Sequence, residues 1–134
     1  MDTLVVGDRF IPASSFVTAL AQRCGPAFGP VRTVDLPGSR ADQHELQQAM
    51  EVRGPAAVPV PDAVLAAAGG ARVLCVHFAP VGAALFAAAP ALRLVAVART
   101  GLENVDLAAA SERGVGWCPC TGATPARSPS CNWP

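Results

Sequence analysis

Short apolar runs and helical patterns alternate about five times along residues 1–116, with short connections between them. Candidate strands cover residues 3–6, 31–36, 73–76 and 92–98, and another begins at 115. Apolar residues at helical spacing cover 13–23, 41–52, 61–68, 81–89 and 107–113. Strands that alternate with helices pair in parallel. The sequence therefore predicts an α/β fold, a flavodoxin-like or Rossmann-like parallel sheet of about five strands flanked by helices.

Several of these elements carry signals at their ends. Ser14 and Ser15 are candidate caps of the first helix, and Asp106 is a candidate cap of the last. Prolines at positions 55, 59 and 61 predict an extended loop over 54–61, since proline removes an amide donor. The run at 73–76 is continuously apolar, which predicts a strand that is buried on both faces, and 92–98 is predicted to be another buried strand.

Two loops follow these apolar strands, where the ligands of parallel sheets bind. They are His77–Pro80 and Arg99–Asn104. His77 has two interpretations, a substrate contact or a structural residue. Arg99 either faces a cleft between domains or bridges loops by hydrogen bonds to backbone carbonyls. His44 lies in a polar helix and is interpreted as a surface residue.

The segment 73–106 reads VLCVHFAPVGAALFAAAPALRLVAVARTGLENVD. It resembles the substrate domain of the NAD-dependent D-isomer-specific 2-hydroxyacid dehydrogenases, the family of phosphoglycerate and formate dehydrogenases. Members have a strand, an HFAPV-type loop, a helix ending in Pro, a second strand and the turn R-x-G-x-x-N-[IV]-D. Leu102 or Glu103 stands where the common form has a second Gly. The resemblance implies that 1–116 is a substrate (catalytic) domain whose substrate-side residues are His77, Phe78, Ala79, Pro80, Arg99, Thr100 and Gly101.

The same resemblance implies an oxidoreductase that moves hydride between NAD and the CH–OH group of a small 2-hydroxy or 2-oxo acid. In the family, a second domain carries G-x-G-x-x-G, holds NAD and supplies a catalytic Arg, acidic residue and His. This sequence contains neither that motif nor counterparts of those residues. We therefore expect this chain to be inactive alone, without a catalytic residue or a cofactor of its own. The alternative is a standalone α/β binding or interaction module without catalysis.

Residues 117–134 read WCPCTGATPARSPSCNWP and differ in kind from the rest. Read one base earlier with GC-rich codons, they give VVPVHGRNASAVAELQLA. That peptide resembles the family's next segment, V-x-x-x-G-x-N-A-x-x-V-A-E. We hypothesise a frameshift near Gly116, or a sequencing error that mimics one, which truncates a longer dehydrogenase and leaves an irregular, disordered tail. A metal site is not expected, since Cys118, Cys120 and Cys131 are three soft ligands where structural zinc has four.

Charge and composition restrict the partners. All ten basic residues are Arg and ten acidic residues balance them, so the basic surplus of a nucleic-acid binder is missing. No apolar run has the length and purity of a membrane span, and the N-terminus lacks the basic region of a signal peptide. Five cysteines without a secretion signal are interpreted as cytosolic thiols. We expect a cytoplasmic protein that binds neither nucleic acid nor membrane, and the oligomeric state stays open.

Overall fold

The computed structural model describes residues 2–25 and 29–119, which form a five-stranded parallel sheet with helices on both faces. The α/β class and the parallel sheet of five strands are therefore confirmed. The strands are β1 (Thr3–Gly7), β2 (Val31–Asp35), β3 (Val73–Val76), β4 (Leu94–Val97) and β5 (Gly116–Pro119). The helices are α1 (Ala13–Cys24), α2 (Arg40–Arg53), α3 (Asp62–Ala67), α4 (Ala83–Ala88) and α5 (Leu107–Glu112), with a 3-10 turn at Pro55–Ala57.

The strand order is β2-β1-β3-β4-β5, and every neighbouring pair is parallel. The first crossover runs from β1 to β2 in one direction, and the following crossovers run in the other. Because such connections are right-handed, the reversal places α1 on one face and α2–α5 on the opposite face. It also opens a crevice between the carboxyl ends of β1 and β3, where sheets of this order bind ligands.

Alternation of side chains along the strands divides the core into two layers. The larger layer lies under α2–α5 and includes Leu4, Val6, Leu74, Val76, Val95, Val97, Met50 and Phe86. The smaller layer lies under α1 and includes Val5, Ala13, Val73 and Cys75, with Phe16 and Leu20 packed against it.

The prediction that both apolar strands are buried on both faces is correct for β3 and wrong for β4. All four residues of β3 are buried, whereas Leu94 and Ala96 of β4 are only half-buried. Among the described helices only α1 packs on their face of the sheet, and it lies against β1 and β2. An apolar groove between Phe16 of α1 and Ala98 after β4 results.

Several element ends differ from the prediction because distant residues determine them. No side chain of α1 caps its N-terminus; the carboxylate of Asp35, the last residue of β2, accepts the Ala13 N–H at 2.8 Å. The region 54–61 is not wholly extended, since Pro55–Ala57 forms a 3-10 turn. Helix α4 starts later than predicted because Val81 forms a bridge with Val105. Asp106 caps α5 as predicted, accepting the Ala109 N–H.

The segment predicted to be irregular from Trp117 begins in the sheet. Trp117, Cys118 and Pro119 belong to β5 and pair with β4. Pro119 is tolerated because β5 is an edge strand, which need not donate at every position. Cys118 is disulfide-bonded, unlike the free thiols Cys24 and Cys75, so the interpretation of all five cysteines as thiols fails at this position. The rest of that segment, 120–134, lies outside the described residues.

The two free thiols are expected to differ strongly in reactivity. Burial raises the pKa of the Cys75 thiol from 9.0 to about 11, with a further contribution from Cys24, whereas Cys24 itself is exposed. A rise of this size makes the reactive thiolate roughly 100-fold rarer. Iodoacetamide at mildly alkaline pH should therefore alkylate Cys24 at least about 100-fold faster than Cys75, as followed by peptide mass spectrometry. Guanidinium should abolish the difference; equal rates in the native protein would contradict the burial of Cys75.

Candidate functional site

The two predicted loops lie side by side at the carboxyl edge of the sheet. The Val81 N–H donates to the Asn104 carbonyl at 2.7 Å, and the Asp106 N–H donates to the Val81 carbonyl at 2.8 Å. These bonds extend the pairing of β3 and β4 into the loops that follow them. The segments His77–Pro80 and Arg99–Gly101 are therefore brought together at one edge, as the sequence predicted.

Asn104 fixes the relative position of these loops with its side chain. It is completely buried, and its Nδ2 donates to the Ala79 carbonyl at 2.8 Å and to the His77 carbonyl at 3.4 Å. Its Oδ1 atom is buried and has no partner among the described residues. Sequence analysis placed Asn104 in the turn but gave no reason to expect a contact with the other loop.

The backbone amides of these loops have no acceptor among the described residues, over His77–Ala79 and over Arg99–Asn104 alike. The N–H groups of Phe78, Ala79, Thr100 and Gly101 donate to no backbone or side-chain group among residues 2–25 and 29–119. Phe78 and Ala79 are buried residues, so orphan amides there are unusual. Neighbouring unpaired N–H groups favour an anion between them. The two loops thus form a candidate oxyanion-binding site.

His77 has a partner that sequence analysis missed. Its Nδ1 lies 2.9 Å from Oδ2 of Asp8, the residue that follows β1. The Asp8 side chain is 1% exposed and that of His77 is 18% exposed. The two residues are far apart in sequence, and only the strand order brings the ends of β1 and β3 together. The sequence signal for this pair is an acidic residue directly after the first strand. It indicates a contact with His77 only once β1 is known to lie beside β3.

Arg99 lies two residues after the end of β4, and its side chain is 16% exposed. Its Nη2 lies 3.3 Å from Oε1 of Glu51 in α2 and 3.3 Å from Oε2 of Glu103. Arg99 therefore contacts side-chain carboxylates. The sequence interpretation in which it bridges loops through backbone carbonyls is not what the described residues show. The Glu103 carboxylate also lies against Gly101, where a Cβ would overlap it. Arg99 contributes positive charge to the turn, but its charge is shared with two glutamates.

Phe78 and Pro80 point inward from the first loop. Both line an apolar cleft below α2, together with Met50 and Val58. The Phe78 ring meets the His77 ring edge-on at 5.0 Å and the Phe10 ring at 5.7 Å between centroids. Packing on these rings holds the loop while its amides stay unpaired. His44 is exposed on α2, as interpreted from the sequence.

Replacing Asn104 tests the coupling of the two loops. Asn104→Asp keeps the shape but removes the donor to two carbonyls and places a charge in a buried site. We expect the free energy of unfolding to fall by about 3 kcal/mol at neutral pH. The loss should be smaller in mild acid, because a protonated carboxyl can again donate to the Ala79 carbonyl. Urea titrations at both pH values measure this, with the exposed Gln48→Glu as control; equal stability of the two variants would refute the role of Asn104.

Two features are missing from residues 2–25 and 29–119. No group of three His, Cys, Asp or Glu side chains in these ranges is arranged to hold a metal ion. No helix there is long and apolar enough to cross a bilayer. Cys120 and Cys131, two of the three cysteines considered as metal ligands in the sequence, lie outside the described residues.

Comparison with known proteins identifies a family whose model matches most of this chain. The family model of the D-isomer specific 2-hydroxyacid dehydrogenase catalytic domain matches residues 33–127. This range includes both loops and continues into the segment for which a frameshift was hypothesised. No curated protein sequence matches the chain significantly.

Solved structures share the fold at low sequence identity. NAD+-bound 3-phosphoglycerate dehydrogenase of Entamoeba histolytica matches 87% of the chain with a TM-score of 0.61 and 13% identity. D-lactate dehydrogenase of Aquifex aeolicus, complexed with NAD and lactic acid, matches 92% with a TM-score of 0.56 and 13% identity. NAD-dependent formate dehydrogenase of Staphylococcus aureus, in complex with NAD, matches 92% with a TM-score of 0.51 and 21% identity. The chain spans only 32%, 29% and 32% of these structures, about a third of each.

Proposed function

Because the chain belongs to the D-isomer specific 2-hydroxyacid dehydrogenase family, through that family's catalytic domain, we propose that it supplies the substrate side of an oxidoreductase. The reaction would oxidise the CH–OH group of a small 2-hydroxy acid or reduce the matching 2-oxo acid. The residues proposed to face the substrate are His77, Phe78, Ala79, Pro80, Arg99, Thr100 and Gly101.

The unpaired amides carry this proposal. Phe78 and Ala79 in one loop and Thr100 and Gly101 in the next offer N–H groups that lack internal acceptors among the described residues. A substrate carboxylate at the loops would accept hydrogen bonds from these amides, and at the buried residues Phe78 and Ala79 it would offset the cost of unpaired donors. Arg99 is paired with two glutamates, so its positive charge is already balanced and the amides remain the main donors to the carboxylate. Pro80 lacks an N–H and would contribute shape only.

The described residues do not fit NAD. In dinucleotide-binding folds the pyrophosphate lies at the N-terminus of the helix after the first strand. Here the Asp35 carboxylate already accepts the Ala13 N–H at that position. The Asp8 carboxylate accepts two further N–H groups in the same turn, those of Phe10 and Ile11. Two carboxylates oppose a pyrophosphate, so we assign this chain the substrate side only and expect no NAD-dependent oxidation of 2-hydroxy acids by the 134-residue chain.

The proposal is tested by NMR on the full 15N-labelled chain, titrated with sodium D-lactate. We expect saturable shifts of the Phe78, Ala79, Thr100 and Gly101 amide signals, while the amides of α1 on the opposite face stay unchanged. D-lactamide, which lacks the carboxylate, is the matched control and should leave all four signals in place. The proposal fails if D-lactate gives no saturable shift, or if D-lactamide shifts the same amides equally.

A further inference from the structure

Asp8 and His77 meet at the carboxyl ends of β1 and β3. At this point of the sheet the connections leave in opposite directions, from β1 toward β2 and from β3 toward β4. They follow β1 and β3, adjacent strands whose carboxyl ends border the crevice. Their Oδ2–Nδ1 distance of 2.9 Å joins a buried carboxylate to an imidazole that is 18% exposed. The proposed substrate contacts through backbone amides do not use this pair.

The Asp8 carboxylate is buried and already has three partners within the chain. Its Oδ1 accepts the N–H groups of Phe10 and Ile11, each at 2.8 Å, and its Oδ2 contacts His77. An ionised carboxylate only accepts hydrogen bonds, so the proton in the contact belongs to Nδ1 of His77. The other ring nitrogen, Nε2, has no partner among the described residues. Asp8 thereby fixes the tautomer and leaves Nε2 as the free polar atom of the pair.

The other charged groups around this pair are engaged elsewhere. Arg9 donates through Nε to the Gly38 carbonyl, and Arg40 stacks over the Phe10 ring at 4.6 Å. The Asp35 carboxylate accepts from Ala13, and across the next loop Arg99 pairs with its two glutamates. Among the described residues Asp8 is the one charged group in contact with His77.

We propose that His77 binds the carboxylate of a 2-hydroxy or 2-oxo acid through Nε2–H, with Asp8 as its positioning residue. This inference rests on the proposed function and names a side chain that recognises the same class of ligand. A neutral imidazole with its proton on Nδ1 presents a lone pair at Nε2 and repels an anion. Carboxylate binding therefore requires a proton on Nε2, which a neutral imidazole takes up from the solvent when the carboxylate binds.

The test observes the imidazole directly in the full chain. The sequence has two histidines, so His44→Gln and His77→Gln assign both sets of ring signals. Sodium D-lactate should shift the ring 15N signals of His77 and leave those of the exposed His44 unchanged. His77→Gln should weaken D-lactate binding, and His44→Gln should leave it unchanged.

The role of Asp8 has a separate spectroscopic signature. At alkaline pH, the 15N shifts of His77 should report a proton on Nδ1 in the unaltered chain. Asp8→Asn should lose this tautomer preference and weaken D-lactate binding, whereas an effect on fold stability alone would leave the tautomer in place. The inference is overturned if D-lactate shifts the loop amides but not the His77 ring, and His77→Gln binds as tightly as the unaltered chain. That result leaves the proposed function standing, while the absence of any shift in the loops overturns both.

Discussion

Gly7→Ala is expected to lower the free energy of unfolding by about 3 kcal/mol, at the upper end of the usual cost of overpacking. Gly7 ends β1, and a Cβ there would overlap the Ala13 backbone nitrogen and the Asp35 carboxylate. Both atoms belong to the hydrogen bond that caps α1. A backbone atom cannot move aside as a flexible side chain does, so α1 must shift away from the sheet. Urea denaturation followed by circular dichroism measures the loss.

Gly69→Ala is the matched control. Gly69 also lies outside the left-handed region, and nothing lies within 4 Å of the position a Cβ would occupy. Its stability should change by no more than about 0.5 kcal/mol. Similar losses in both variants would indicate a general cost of replacing glycine in this chain, and would refute the close approach of α1 to the end of β1.

The order of elements could be predicted from the sequence because each one carries its own local signal. The strand at 73–76 is continuously apolar, and Asp106 precedes a helix that it caps. These signals depend on neighbouring residues alone. The two loops of the candidate site could likewise be located, because the carboxyl ends of parallel strands share one edge and both loops follow strands.

What could not be predicted depends on contacts between distant residues. The Asp8–His77 pair requires β1 next to β3, and the cap of α1 requires Asp35 from the end of β2. The half-buried state of Leu94 depends on where α1 lies, because a continuous apolar run does not reveal which helix covers each face. The side chain of Asn104 is a similar case, since no local pattern distinguishes a turn residue from one that joins two loops.

Gln43→Leu is expected to have the second large effect, a loss of about 3 kcal/mol in the free energy of unfolding. Gln43 lies on α2 with no exposed surface. Its Oε1 accepts the Arg9 N–H at 2.7 Å, and its Nε2 donates to the carbonyls of Leu36 and Pro37 at 2.9 and 3.1 Å. Leucine has similar size but leaves three backbone groups without partners, each at a cost of roughly 1 kcal/mol when partly exposed.

The same variant should also affect the site, because Gln43 holds the turn that contains Asp8. With the Arg9 N–H released, Asp8 should hold His77 less firmly, and the 15N shifts of His77 should move toward those of exposed His44. The exposed Gln48→Leu is the control on the same helix and should alter neither stability nor the His77 signals. If Gln43→Leu destabilises the fold while the His77 signals stay unchanged, then the turn after β1 holds Asp8 without help from α2. The amides of Phe10 and Ile11 would then be sufficient to orient the Asp8 carboxylate.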